Sequence, residues 1–600
     1  MFFIFVVNSS KRVGYYDTIT LKRLLIMQLS IVKSGNDKIL YIVKKYRING
    51  KSTSTTIERC GKLSELEKIY DDPISYFTNK ALEMSKEEKD GNNSFLMNMK
   101  RKKVSDDKEV LVNGGYLFLR KIYAGLHLDY FIKRIAKRYK LQYDLNKILQ
   151  DLIYTRILFP GSKLSSYEDK EKLIEKGHYE LHDVYRALSV LNEWLEKIQA
   201  FVYAQSNRLV TRNTSILYFD CSNFFFEIEE EDEFRKYGAS KEHRPNPIVQ
   251  MGLFMDGNGL PLAFDLNPGN TNEQITLKPL EEKVLKDFKL SKIIVCTDAG
   301  LASYTNRLFN DEGERAFIVT QSIKKLEGYL KDWVLDKSNF YHSITKDDSK
   351  IKYKSRYVKK DMVLDDNTPL GKVKITKEWR IVVTYSEKYA KYQKTLRDNQ
   401  IKRAKALIAN PTKFNKINSQ DCKRFINNIS YDKDGNVITK SLLTFNEEIE
   451  KEEEKYDGFY AISTNLEGDD KEIVAINSNR WEIEESFRIM KTDLRSRPVY
   501  VSIKEHIAAH FLTCFLALLF IRITEKKLDN RFTTNAIFEA LRSINYVDRG
   551  AGYIAAFKRT KVIEALEEAF NIECDYDSYT VEQMRKVLHQ SKLEDFTTTI

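Results

Sequence analysis

Apolar and polar residues alternate from Ile39 to Thr56 on either side of Asn49-Gly50, which predicts two strands joined as a hairpin. Residues 1–105 are therefore expected to form a small strand-containing region that leaves through the charged segment MSKEEKDGNNS. Within it, MFFIFVVNSSKRVGYYDTITLKRLLI carries no readable motif, and Met27 precedes the run that enters the hairpin. Residues 1–26 are thus expected to be an upstream extension of a protein starting at Met27. The other reading is a genuine strand at FFIFVV. From 106 to 210 the period becomes helical, in FLRKIYAGLHLDYFIKRIAKRY and LNKILQDLIYTRIL, with a break at Pro160-Gly161. This block is basic, and both a DNA-binding helix-turn-helix and a plain helical packing domain fit it.

At Thr214 the texture changes to short apolar runs. SILYFD, FFFEIEE and IVQMGLFMD read as three strands, with Gly257-Asn258-Gly259 as a turn. Thr271-x-x-Gln274 has capping-box spacing for a helix towards Phe288. The strand KIIVCTD, a helix near Ser303–Asn310 and the strand AFIVT follow. That order belongs to an RNase H-like α/β fold, a mixed sheet flanked by helices. Residues 211–322 would form its first part and 458–535 its last, resuming at GFYAIST and a helix over Asn479–Leu494. Between them, 323–457 reads as an inserted block with strand-like pieces and a charged helix near Ala390–Leu407. Residues 536–600 alternate short helical segments.

Composition narrows the function classes. Six hundred residues exceed what one core organises, and 42% hydrophobic against 31% charged residues argues for folded domains. The formal charge of +12 suits a polyanionic partner. Cys60, Cys221, Cys296, Cys422, Cys514 and Cys574 stand singly with no Cys-x-x-Cys pair, so a reducing cytoplasm fits better than a disulfide scaffold or zinc ribbon. The opening MFFIFVV lacks a basic leader. Ile507–Ile521, interrupted by His510, falls short of the roughly 20 residues of a membrane span and is expected to be a buried helix.

Asp220 closes SILYF and Asp298 closes KIIVCT. Carboxylates at neighbouring strand ends would give one sheet edge two hard oxygen ligands, suited to Mg²⁺ or Mn²⁺ and, with two ions, to phosphoryl transfer. A strand-terminal Asp can also be merely a turn former. In NRWEIEESFRIMK, Arg480, Glu484 and Lys491 share one helix face beside an apolar stripe of Ile483, Phe487, Met490 and Leu494. Glu484 would ligate metal while Arg480 and Lys491 grip DNA phosphates. The same spacing describes an ordinary surface ion pair. His506 and His510 have zinc-ligand spacing, but residue 507 is Ile rather than the Glu of a His-Glu-x-x-His motif.

This combination resembles the DDE transposases of the bacterial insertion-sequence-four superfamily. The similarity covers roughly Lys38 to Arg522. Arg480, Glu484 and Lys491 fit that family's Tyr-x2-Arg-x3-Glu-x6-Lys signature, whose Tyr falls on Asn477 here. DCSNFFFE, GASKEHRPNPIVQMGLFMDGNGLPLAF, PGNTNE, TDAGLAS and RPVYV are also worded like the family. The resemblance implies a metal-binding triad of Asp220, Asp298 and Glu484 with two Mg²⁺ or Mn²⁺ ions, and a β-rich insertion before Glu484. It implies cleavage at the terminal inverted repeats of the element and strand transfer into target DNA. A homodimer is expected, in a bacterial cytoplasm at the nucleoid and away from membranes. Lys241 and Arg244 would reach DNA or be solvated surface charge. Trp333 and Trp379 lie in the insertion, where the family stacks a flipped base; core or surface tryptophan is the other reading. The competing functions are a degenerate, DNA-binding transposase relative and another RNase H-like nuclease.

Overall fold

The structure, a computed structural model, describes residues 27–35, 37–48, 51–91, 110–342, 351–365, 372–410, 420–431 and 437–596. The expectations for residues 1–26 and for the Asn49-Gly50 turn itself lie outside these residues. The chain divides into two compact units, Met1–Lys103 with Ser578–Thr580, and the remainder.

In the first unit, strands β1 (Met27–Ser34), β2 (Asp37–Ile48) and β3 (Lys51–Lys62) form an antiparallel sheet. Ile48 pairs with Lys51, the register of the expected hairpin. A helix, Pro73–Gly91, starts with proline at the position where no N–H is needed, behind Asp72, whose carboxylate accepts from Ser75 N. Its Phe77 and Ala81 pack on Met27, Leu40 and Ile42 of one sheet face.

The second unit opens with β4 (Leu111–Asn113) and a run of helices from Tyr116 to Ser206. The first long periodic stretch divides at His127, which takes a left-handed φ of 50°. Pro160-Gly161 separates the helices Leu145–Leu158 and Lys163–Asp169 as expected. These helices surround Lys504–Lys527, a helix long and apolar enough to cross a membrane but buried inside the fold along most of its length.

A nine-stranded mixed sheet follows: β5 (Ile216–Phe225), β6 (Ile248–Asp256), β7 (Pro261–Pro268), β8 (Ile294–Thr297), β9 (Ala316–Thr320), β10 (Tyr341–His342), β11 (Ile351–Asp365) and β12 (Lys372–Ser386). The hairpin β13 (Ile426–Tyr431) and β14 (Val437–Phe445) stands apart, and β15 (Phe459–Thr464) returns to the sheet. The order is β10-β11-β12-β15-β9-β8-β5-β6-β7, with β5, β8 and β9 parallel. The block after β9 is thus no separate β-domain in full, since β11 and β12 extend the same sheet through β15.

Three local expectations are corrected. SILYFD and FFFEIEE are not two strands: β5 runs unbroken through Asp220 to Phe225 because β6 pairs with it over that whole length. The third strand of the meander is β7, beyond the Gly257-Asn258-Gly259 turn. Asn272, not Thr271, caps the turn Glu273–Ile275, and the helix proper is Leu277–Asp287.

On one sheet face, Leu217, Phe219 and Cys221 pack with Leu277, Leu280 and Val284 of that helix. The other face of β5 meets the C-terminal helices: Phe224 lies edge-on to Phe511, and Tyr218 Oη donates to Ile476 O. Both faces are covered, which explains why all nine residues of β6 are buried.

Glu281 is fully buried on the Leu277–Asp287 helix, with Asn310 Nδ2 donating to it at 3.0 Å. Burial raises its pKa from 4.5 to about 7, against the hydrogen bond from Asn310. The folded state therefore holds this proton more tightly than the unfolded chain. Stability falls as pH rises above 4.5 and the full cost, roughly 3 kcal/mol, is in place above about 7. Glu281→Gln should leave urea stability near wild type at pH 4.5 and raise it by a few kcal/mol at pH 8. Equal changes at both pH values would contradict this.

Candidate functional site

Asp220 and Asp298 are aligned by strand register. β5 and β8 run parallel with Ile216 opposite Ile294 and Tyr218 opposite Cys296, and two residues further along each chain stand the two aspartates. Thr297 ends β8, so beyond it the β8 side of β5 is open while β6 holds the other side. Asp220 is therefore mid-strand, not at a strand end, yet it sits at the notch where its neighbour stops. Cys221 N donates to Asp220 Oδ1 at 2.8 Å, and Leu301 N donates to Asp298 Oδ1 at 3.1 Å. Among the described residues the second oxygen of each carboxylate has no hydrogen-bond partner. Burial pushes the Asp220 carboxyl up to about 6; Lys241 opposes the rise, Asp298 adds to it and Arg480 opposes it.

The third acid comes from the helix Trp481–Thr492. Its Ile483, Phe487 and Met490, with Leu494 beyond it, are buried as the apolar stripe predicts. Arg522 of the long core helix donates to Ser486 Oγ and Glu482 O, fixing this helix from behind. Arg480 stands at the N-cap position and pairs with Glu484 at 2.9 Å, while Glu484 remains exposed. Among the described residues, no three His, Cys, Asp or Glu side chains approach closely enough to share a metal ion. The fold thus brings Asp220 and Asp298 together, and it places Glu484 on the covering helix, held by Arg480. Asn477 is buried; its Nδ2 donates to Tyr460 Oη at 2.9 Å, and Cys296 Sγ lies 3.7 Å from its Oδ1.

Lys241 and Arg244 belong to a turn between β5 and β6. Lys241 N donates to Asn223 Oδ1, and Ser240 Oγ accepts from Glu242 N and Arg244 N. Lys241 Nζ donates to Cys221 O and pairs with Glu273 at 3.3 Å. Burial alone would lower its pKa, but Asp220 and Glu273 raise it. It is thus a buttress of Asp220 rather than free surface charge. Lys491 does not pair with Glu484; it lies 3.6 Å from Glu242, and burial, with help from Lys241, pushes it down to about 8. Glu242, Glu273 and Arg497 were not singled out by spacing, because their partners are distant in sequence.

The remaining candidates pack. His506 meets Ser189 Oγ and His510 meets Ser496 O. Trp379 is buried against Phe317, and Trp333 joins the cluster around Val334 and Phe459.

A family model described as "Transposase DDE domain" matches residues 221–520, half of the chain. The matched segment includes Asp298 and Glu484 and begins one residue after Asp220. No curated protein matches. A solved structure, the piggyBac transposase synaptic complex with hairpin DNA, is similar over 72% of this chain and 78% of that one, at 7% identity and a TM-score of 0.33.

A ¹³C titration of labelled aspartate should show Asp220 with a midpoint near 6. Lys241→Ala should move it up and Asp298→Asn should move it down. A midpoint unmoved by either variant would mean the three groups do not share one edge.

Proposed function

Since the chain belongs to the transposase DDE domain family, we propose that it is a DNA transposase of the insertion-sequence-four superfamily with an RNase H-like catalytic core. The observation that carries this reading is the alignment of Asp220 with Asp298 at the end of β8, within reach of the cations around them.

Two hard carboxylates at matching positions, each with an unengaged oxygen, fit a divalent cation such as Mg²⁺ or Mn²⁺. Asp220 and Asp298 would hold it, with Glu484 completing the triad once it leaves Arg480, two ions being the arrangement suited to phosphodiester cleavage. Bound there, it would supply Lewis-acid stabilisation of the attacking and leaving oxygens. The chain's own residues do the rest. Lys241 holds Asp220 in its ionised form near neutral pH. Arg480 pairs with Glu484 and offers the rest of its guanidinium to a phosphate. Lys491, half-buried and close enough to sense Asp220, meets the strand being cut. No covalent protein–DNA bond is required. Terminal repeats and target DNA would be the partners, a homodimer the acting unit, and the bacterial nucleoid the place.

Asp298→Asn should lower Mg²⁺-dependent cleavage of element-end DNA by more than the roughly 10–100-fold that loss of a mere supporting partner costs. DNA binding should stay near wild type. Cleavage near the wild-type rate would sink the assignment; binding without cleavage in the unaltered protein would favour a degenerate DNA-binding relative. Arg480→Ala should reduce the salt dependence of DNA binding by about one phosphate contact. Easy unfolding with unchanged salt dependence would make Arg480 structural.

A further inference from the structure

Beside the acids, one carboxylate is surrounded by three cations. Glu242 Oε1 lies 3.6 Å from Lys491 Nζ and in contact with the Arg497 guanidinium, and Oε2 lies 3.8 Å from Arg244 Nε. We propose that Arg244, Lys491 and Arg497 form a phosphate-binding site that Glu242 fills in the DNA-free protein, and that a DNA backbone phosphate displaces it. The inference rests on the reading that this chain acts on DNA.

The cradle does not depend on Glu242 for its shape. Arg244 lies over the Phe225 ring at 4.1 Å, Arg497 over the same ring at 5.9 Å, and Lys491 over Phe224 at 5.4 Å. Val499 N donates to Phe225 O, pinning the segment that carries Arg497 to the end of β5. The two aromatic residues at the end of β5 thus hold all three cationic heads, whatever anion lies between them.

Glu242 is a poor fit for that place. Only its Oε1 meets Arg497, whose buried Nη1 makes no hydrogen bond, while Lys491 and Arg244 remain beyond hydrogen-bond distance. Three positive charges face one negative charge in a partly buried setting, an excess that favours another anion. A tetrahedral phosphodiester presents oxygens in more directions and can engage heads that a planar carboxylate cannot, with a guanidinium fork taking two of them. The position suits the strand being cut. Phe224 is four residues along β5 from Asp220 and its side chain lies on the same strand face, about 13 Å away. That places the cradle a few nucleotides from the acids, with Lys491 close enough to feel both Lys241 and Asp220.

Glu242 would then act as a placeholder. It keeps the three cations from repelling one another before DNA arrives and is exchanged for phosphate when DNA binds. Removing it should therefore strengthen DNA binding, whereas a purely structural ion pair would weaken the fold and leave DNA affinity unchanged or lower.

The test measures fluorescence anisotropy of the full chain with a mixed-sequence duplex over a salt series. Circular dichroism monitors the fold. Glu242→Gln should bind about tenfold more tightly at low salt, with the log–log salt slope steeper by about one. Affinity equal to or below wild type, with the fold intact, overturns the proposal. Arg497→Ala carries the test if Glu242→Gln folds poorly: its slope should fall by about one, and an unchanged slope overturns the proposal. If the unaltered chain fails to bind the duplex even at low salt, the DNA reading itself fails; a bound wild type with an unresponsive Glu242→Gln refutes only this inference.

Discussion

A one-residue slip between β5 and β8 would turn one aspartate to the opposite face of the sheet and leave the other alone. The parallel register that sets Ile216 against Ile294 is therefore the constraint on which the site depends. It is specified by burial on both sides. Leu217, Phe219 and Cys221 must face the Leu277–Asp287 helix, and Tyr218 and Phe224 must face the C-terminal helices. No slipped register satisfies both. Because β8 is only four residues long, the pairing ends where the acids begin, and the missing neighbour gives the carboxylates an open edge.

The charges around that edge are arranged as interlocking pairs. Lys241 is shared between Cys221 O, Glu273 and the field of Asp220; Arg480 holds Glu484; Glu242 sits among Arg244, Lys491 and Arg497. Asp220, Glu242, Glu273 and Glu484 thus each stand beside a cation of the chain itself. In a partly buried setting neither charge could be left alone without a large desolvation cost. The protein is stable in this form because its own acids and bases neutralise one another across that edge. Arg522 anchors the Glu484 helix beside those pairs.

Much of this was legible in the chain. The apolar stripe of the Glu484 helix, the strand KIIVCT ending at Asp298, the helix near Ser303–Asn310 and the buried helix over Ile507–Ile521 follow directly from the pattern of apolar residues. The extent of β5 did not, because Asp220 and the polar residues after it interrupt an apolar run that only pairing with β6 carries onward. β7 was hidden behind a Gly-Asn-Gly turn and begins with proline. The cradle at Glu242 was illegible because Lys491 and Arg497 approach it from some 250 positions away in the chain, where no spacing rule reaches. Asn477 was visible as a departure from the signature, but its bonds to Tyr460 and Cys296 are tertiary facts.

The central claim is that strand register builds a cation site from Asp220 and Asp298. Crystals of the protein grown with Mn²⁺ would test it through anomalous scattering. The account predicts a peak between the two carboxylates, about 2 Å from an oxygen of each. Manganese bound elsewhere, with these two carboxylates uncoordinated, would contradict it.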